Sequence, residues 1–309
     1  MKSSGMRYNT IFIVFIWFFL FLVVVKGEES HPNAIVSKIL TSKKSILQHA
    51  SQSSQDQYIF LAFWDFDGTI LKGDCSEGLE DNGHLAYKGL AQLLIESGYS
   101  KLYPSKDGAT EFLNDYHHME SLGKWLAYPY VLQIFRGAAY SDIEVLSKNY
   151  FETVLRQYYF SASLEILKAL EKRHIKSYVI SASAEMFVKA SASTLGLPEE
   201  RFHGIKQKIK NDRLTEEIVY PITWSEGKVE KLNQIVDEVS KQNPDKKVVI
   251  LAAFGNSYTT DGPFMQYVKM QKLPNAAKPT VVMINGGETP ATYKNLFIKV
   301  NQSEILGAY

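Results

Sequence analysis

The sequence predicts an α/β fold: a parallel sheet with helices packed on both faces. Short apolar runs at 58–64, 177–180, 248–254 and 280–284 read as strands, and stretches between them carry apolar residues at three- and four-residue spacing. Continuous apolar runs bounded by turn residues suit strands buried on both sides. Strands alternating with helices argue for parallel pairing. Polar residues come directly after three of these runs (Asp65, Ser181 and Gly255-Asn256), which suits a sheet that gathers its binding groups at the carboxyl ends of its strands.

At the N-terminus, Lys2 and Arg7 precede an unbroken apolar run from Ile11 to Val25, and Lys26-Gly27-Glu28-Glu29 ends it. A positive start, a short apolar run and a polar break describe a secretory signal peptide over residues 1–27, so the chain is expected to be exported, through a secretory pathway or to a periplasm. The run is shorter than the ~20 residues of a spanning helix, and anchoring by an uncleaved signal is the alternative. Loss of Lys2, Arg7 and Lys26 with that segment takes the formal net charge from +1 to −2. Residues 28–57 form a leader, Ser- and Gln-rich, with an amphipathic stretch at 34–47. The first strand, 58–64, runs into Asp65-Phe66-Asp67-Gly68-Thr69. Residues 76–160 are helical in pattern, at 90–95, 125–135 and 143–155, with no strand-like alternation. Helix is expected at 164–170, strand at 177–180, and helix at 184–195 closed by Gly196. The polar 201–220 region reads as a hairpin, 228–239 as helix, and the last two strands close the series.

With 309 residues the chain is one large domain or one domain carrying an inserted one. Lys+Arg is 34 against 33 for Asp+Glu, so no charge bias points to nucleic acid. The single cysteine, Cys75, excludes an internal disulfide. Asn301-Gln302-Ser303 matches a glycosylation pattern short enough to recur by chance.

Asp65 and Asp67 place two carboxylates just past a strand end. An aspartate attacks phosphorus only when cations screen the repulsion, as a magnesium ion on oxygen ligands does. A second carboxylate then protonates the leaving oxygen and activates water. Gly68 permits a sharp turn, and Thr69 can cap the next turn of chain. Taken alone, the same string is equally a turn without chemistry.

Asp65-Phe66-Asp67-Gly68-Thr69 resembles the first signature of the haloacid dehalogenase superfamily. Tyr178-Val179-Ile180-Ser181-Ala182-Ser183 resembles the second, as found in its phosphoserine-phosphatase-like branch. Ser225-Glu226-Gly227-Lys228-Val229 resembles the Gly-Lys of the third, and the segment from Gly255-Asn256 to Asp261-Gly262-Pro263 the fourth. Each has an ordinary reading: a strand-end turn for Ser181, a solvated helix residue for Lys228, a helix N-cap for Asp261. All four in order make the resemblance specific over about 58–284.

The resemblance implies a Rossmann-like parallel-sheet core at 58–75 and 161–309, with an inserted helical cap at 76–160. It implies a phosphoric monoester hydrolase dependent on Mg2+, with Asp65 the nucleophile and metal ligand, and Asp67 the acid/base and metal ligand. Ser181 would bind a phosphoryl oxygen, and Lys228 would neutralise the phosphate and the Asp65 charge. The spacing to Asp261 is similar to that of phosphorylcholine-phosphatase-like members. Asn256 stands where most relatives carry a metal-binding Asp; a neutral amide oxygen holds Mg2+ less firmly, with Asp261 the candidate to assist. Asn256 therefore keeps open a non-catalytic phosphate-binding protein, and transfer to an acceptor other than water remains a further alternative.

The expected substrate is a small phosphorylated metabolite. Asp74 and Glu77 are candidates to meet an amino or choline-like head, or are a solvated turn. Trp125, Tyr128 and Tyr130 are read as core before they are read as an aromatic wall, and His117-His118 as surface.

Overall fold

The computed structural model describes residues 31–48 and 57–307. The expected signal segment, and residues 28–30 and 49–56 of the leader, lie outside them. In chain order the elements are α1 (Pro32–Leu47), β1 (Tyr58–Trp64), β2 (Gly78–Asp81), β3 (His84–Lys88), α2 (Leu90–Glu96), α3 (Gly108–Leu122), α4 (Lys124–Gln133), α5 (Tyr140–Thr153), α6 (Ser161–Glu171), β4 (Ile175–Ala184), α7 (Glu185–Ala190), α8 (Ala192–Leu195), β5 (Phe202–Lys210), β6 (Arg213–Val219), α9 (Glu226–Gln242), β7 (Lys247–Gly255), α10 (Gly262–Lys269), β8 (Thr280–Ile284) and β9 (Ile298–Val300).

One seven-stranded sheet runs β6-β5-β4-β1-β7-β8-β9. All its pairs are parallel except β5–β6, the expected hairpin. β1 lies at the centre and is buried on both faces, as its apolar run requires. Phe60, Ala62 and Trp64 pack with α1, α6 and residues of the 76–160 insert. Ile59, Leu61 and Phe63 pack with Leu232 and Ile235 of α9 and Phe264 and Met265 of α10. The two sets alternate along one strand, so each face of the sheet has its own core. The α/β parallel-sheet expectation holds. Among the described residues no helix is long and apolar enough to cross a membrane.

Two departures matter for the site. Gly78–Lys88 is an antiparallel hairpin where the sequence pattern suggests only helix. Its loop is Asn82-Gly83, with φ of 53° and 76°, the paired positive angles that such a two-residue turn demands. Helix α3 also goes beyond the sequence pattern: its apolar face is narrow, burying only Phe112 and Tyr116 among its larger side chains. The stretch after α4 is fastened to the sheet edge by Gly137 N–H on the Leu214 carbonyl at 2.8 Å and Tyr140 N–H on the Asp212 carbonyl at 2.9 Å.

Candidate active site

Asp65 follows the last residue of β1, and its N–H donates to the Phe254 carbonyl of neighbouring β7 at 2.9 Å. That bond holds the strand end while the side chain leaves the sheet. Its carboxylate is buried, with Oδ1 accepting from Lys228 Nζ at 2.6 Å and Oδ2 from Thr69 Oγ1 at 2.8 Å. Lys228 reaches it from the first turn of α9. The lysine is fully buried and also donates to Asp261 Oδ1 at 2.7 Å. Burial pulls the Lys228 ammonium down, but the charges of Asp261 and Asp65 outweigh it and hold the lysine above its usual range. Burial, and then the Asp261 charge, push Asp65 up to about 6 against the opposing pull of Lys228 and Thr69.

Asp261 occupies the N-cap position of α10 without its side chain capping that helix. Its Oδ2 instead accepts the backbone N–H groups of Asn256 and Ser257, both at 2.9 Å. Both of its oxygens are therefore engaged in shaping the β7–α10 loop and pairing with Lys228. Asn256 borders the cavity and packs its amide against Gly68. Gly68 has φ +72°, and a Cβ there would collide with the Asn256 side chain, so both the turn and the close approach need glycine.

Asp67 Oδ1 accepts the Cys75 N–H at 2.7 Å, and Oδ2 accepts Ser183 Oγ at 2.7 Å and Ser181 Oγ at 3.2 Å. Burial and the neighbouring Asp74 and Asp65 charges raise Asp67 well above the carboxylate range. Ser181 is itself fixed by the Ser183 N–H on its hydroxyl at 3.0 Å and by Thr223 Oγ1 on its carbonyl at 2.6 Å. Ser183 has no role in the sequence reading. It lies two residues beyond Ser181 on β4, and the two-residue period of a strand is the signal that could have found it.

These groups open onto a cavity of about 250 Å³. Asp65, Asp67, Ser181 and Asn256 line one part of it; Asp74, Ser76, Glu77, Glu120, Lys124 and Tyr128 line another. Asp74 Oδ1 accepts the Ser76 and Glu77 N–H groups at 2.7 and 3.0 Å, and Glu77 Oε1 accepts Tyr116 O–H at 2.8 Å. Burial, and then the Asp74 charge, push Glu77 up to about 8 against the Tyr116 hydrogen bond. Every sequence-nominated site residue falls at this cavity or directly behind it. The aromatic trio does not converge: Tyr128 lines the cavity, Trp125 is 60% exposed, and the Tyr130 hydroxyl bonds that of Tyr103. His117 is exposed, as expected, though its Nε2 lies 3.9 Å from Glu77 Oε2.

Asp65, Asp67, Asp74, Glu77 and Glu120 line the cavity together with one cationic side chain, Lys124, while Asp261 and Lys228 pair behind it. Burial and mutual repulsion hold protons on Asp67 and Glu77, and a bound cation would offset the carboxylate charge that an anionic substrate still meets. The Asp65 carboxylate and the Asn256 amide, both lining the cavity, offer hard oxygens, which suit a divalent cation. Ligand atoms of Asp67, Asp74 and Cys75 also lie within 4.8 Å of one another. The thiol makes that group a poor match to a hard ion, and burial holds the Cys75 proton on.

The sequence profile of haloacid dehalogenase-like hydrolase matches residues 62–266. No curated protein sequence is matched. Among solved structures, the chain is similar to a protein of unknown function from Bordetella pertussis Tohama I, with TM-score 0.57, 14% identity, and 78% of this chain and 97% of that one covered. It is also similar to a functionally unknown protein from Anaerococcus prevotii DSM 20548, with TM-score 0.54, 13% identity, and 85% and 91% covered. These likenesses concern the fold; the profile match spans most of the chain and the whole Asp65–Asp261 site, and the chain belongs to the haloacid dehalogenase-like hydrolase family.

Proposed function

We propose that this chain is a Mg2+-dependent phosphatase that hydrolyses a small phosphomonoester through an aspartyl-phosphate on Asp65. The observation that carries this reading is the buried Asp65–Lys228–Asp261 chain, with Asp67 beside it, opening onto one small cavity. Asp65 attacks phosphorus, and the bond to the leaving oxygen breaks as Asp67 supplies its proton. Water then attacks the phosphorus, gives a proton to Asp67, and the bond to Asp65 breaks. Lys228 neutralises negative charge that grows at Asp65 and the phosphoryl group, and Ser181 donates to a phosphoryl oxygen. Asp65, the Asp67 carbonyl and Asn256 would hold the metal, whose charge screens the approach of carboxylate to phosphate. Asp261 acts from behind, through Lys228 and the backbone at 256 and 257. The 76–160 insert serves as the cap that limits access of bulk water. The acidic part of the cavity, around Asp74 and Glu77, supports a cationic, amino-bearing head on the substrate. We read the chain as exported, which N-terminal sequencing of the mature protein tests.

The deciding assay is turnover of p-nitrophenyl phosphate by the purified protein with Mg2+ varied. No turnover at any Mg2+ level would favour the second reading, a phosphate-binding protein weakened at Asn256. Where turnover occurs, Asp65→Asn abolishes it; survival would remove Asp65 as the nucleophile. Added alcohols reveal transfer to acceptors other than water.

A further inference from the structure

Two serine hydroxyls share one carboxylate oxygen at the centre of the site. Asp67 Oδ2 accepts Ser183 Oγ at 2.7 Å and Ser181 Oγ at 3.2 Å, while Oδ1 accepts the Cys75 N–H at 2.7 Å. A third group near Oδ2, the Cys75 thiol at 3.7 Å, is only a weak donor. Ser181 and Ser183 lie two residues apart on β4 and both line the cavity. Ser183 is tied to both of the other groups. Its N–H donates to Ser181 Oγ at 3.0 Å, and its hydroxyl is the closer of the two on Asp67.

A serine hydroxyl carries a single proton to donate. When Ser181 gives that proton to a phosphoryl oxygen, Asp67 Oδ2 loses its longer bond just as the carboxyl must act. We infer that Ser183 is a positioning residue that keeps the Asp67 carboxyl aimed at the leaving oxygen once Ser181 has turned to the phosphoryl group. The inference rests on the phosphatase reading and adds a residue to it. In the first step Asp65 bonds to phosphorus and the bond from phosphorus to the leaving oxygen breaks. That oxygen keeps the electron pair and takes the Asp67 proton. The Ser183 hydroxyl accepts from Asp67 while the carboxyl holds its proton and donates to it after the proton has gone, so the contact survives the transfer. The Cys75 N–H on Oδ1 is one point of attachment; the Ser183 hydroxyl on Oδ2 is the second, and two are needed to fix the plane of a carboxyl group.

The test is steady-state kinetics of the full chain with Mg2+ on phenyl phosphate and p-nitrophenyl phosphate. The two are alike in shape, but phenolate is the poorer leaving group and depends more on a proton from Asp67. Ser183→Ala should lower kcat/KM, which covers the steps up to the aspartyl-phosphate, roughly tenfold more for phenyl phosphate than for p-nitrophenyl phosphate, as loss of one hydrogen bond to a charged group implies. Ser183→Thr keeps the hydroxyl and should restore most of it. Competitive inhibition by inorganic phosphate should be unchanged in Ser183→Ala, because Ser183 does not serve the phosphoryl group, and weakened in Ser181→Ala. Three results would each overturn the inference: a loss on p-nitrophenyl phosphate as large as on phenyl phosphate, a threonine variant as impaired as the alanine one, or phosphate inhibition weakened by Ser183→Ala. If wild type turns over neither substrate, the phosphatase reading fails separately. The handover is then read from a crystal structure with inorganic phosphate. Ser181 Oγ on a phosphate oxygen with Ser183 Oγ still on Asp67 Oδ2 supports it; Ser183 on the phosphate, or Ser181 still on Asp67, overturns it.

Discussion

Replacing Lys228 by Met keeps the length of the side chain and removes its charge. The ammonium is fully buried between Asp65 Oδ1 at 2.6 Å and Asp261 Oδ1 at 2.7 Å. Met leaves Asp65 Oδ1 and Asp261 Oδ1 facing one another with no cation and no donor between them. Removing one partner of a buried ion pair costs about 3–5 kcal/mol, because the remaining charge stays desolvated. For a chain of this size that corresponds to a fall in Tm on the order of 10 °C, read by thermal denaturation at neutral pH. Adding Asp261→Asn should recover a large part of the loss. The new amide can keep an oxygen for the N–H groups of Asn256 and Ser257 and turn its NH2 toward Asp65. The pair of variants thus forms a cycle with a favourable coupling between Lys228 and Asp261. A Lys228→Met loss below about 1 kcal/mol, or a double variant that simply sums the two single losses, would refute the argument that this buried charge chain is held by mutual compensation. Turnover in Lys228→Met should fall by roughly 10²–10³, the usual loss when one electrostatic contact to a transition state is removed.

Glu77 has its pKa raised from 4.5 to about 8 by burial and the Asp74 charge, so the native state binds its proton more tightly than the unfolded chain does. The stability this contributes is complete below about pH 4.5 and is lost as pH rises through 8. Glu77→Gln should therefore gain Tm relative to wild type between pH 5 and pH 8.5; a pH-independent difference would contradict the assignment. Gly68→Ala forces a side chain into φ +72° and into the Asn256 amide, and should cost roughly 1–2 kcal/mol from the backbone alone, with turnover lost as the loop is displaced. A crystal structure of that variant with the loop unmoved would count against the packing argument. Asn256→Asp adds a charged oxygen at the cavity edge and should lower the Mg2+ concentration for half-maximal activity; an unchanged or higher requirement would exclude residue 256 from the metal's surroundings.

The α/β class, the four central strands and the residues that converge at their ends are all legible in the linear chain. Apolar runs at β1, β4, β7 and β8 can be buried only within a covered parallel sheet, and Asp65, Ser181 and Asn256 each lie at the end of such a run. The hairpin Gly78–Lys88 escapes such a reading because all its residues but Tyr87 stay half-exposed or exposed, and only the Asn82-Gly83 turn announces it. Helix α3 escapes for a similar reason, its buried stripe being too narrow to stand out from the polar residues around it. What each polar group does with its oxygens is settled only by packing in three dimensions. Family spacing puts Lys228 and Asp261 in range of Asp65, but the packing of α9 and α10 on one face of the sheet is what brings the lysine between two carboxylates and commits both Asp261 oxygens. The pairing of both Asp67 oxygens is of the same kind, because whether a buried acceptor finds its donors depends on its neighbours in space, here the Cys75 backbone and two hydroxyls of β4.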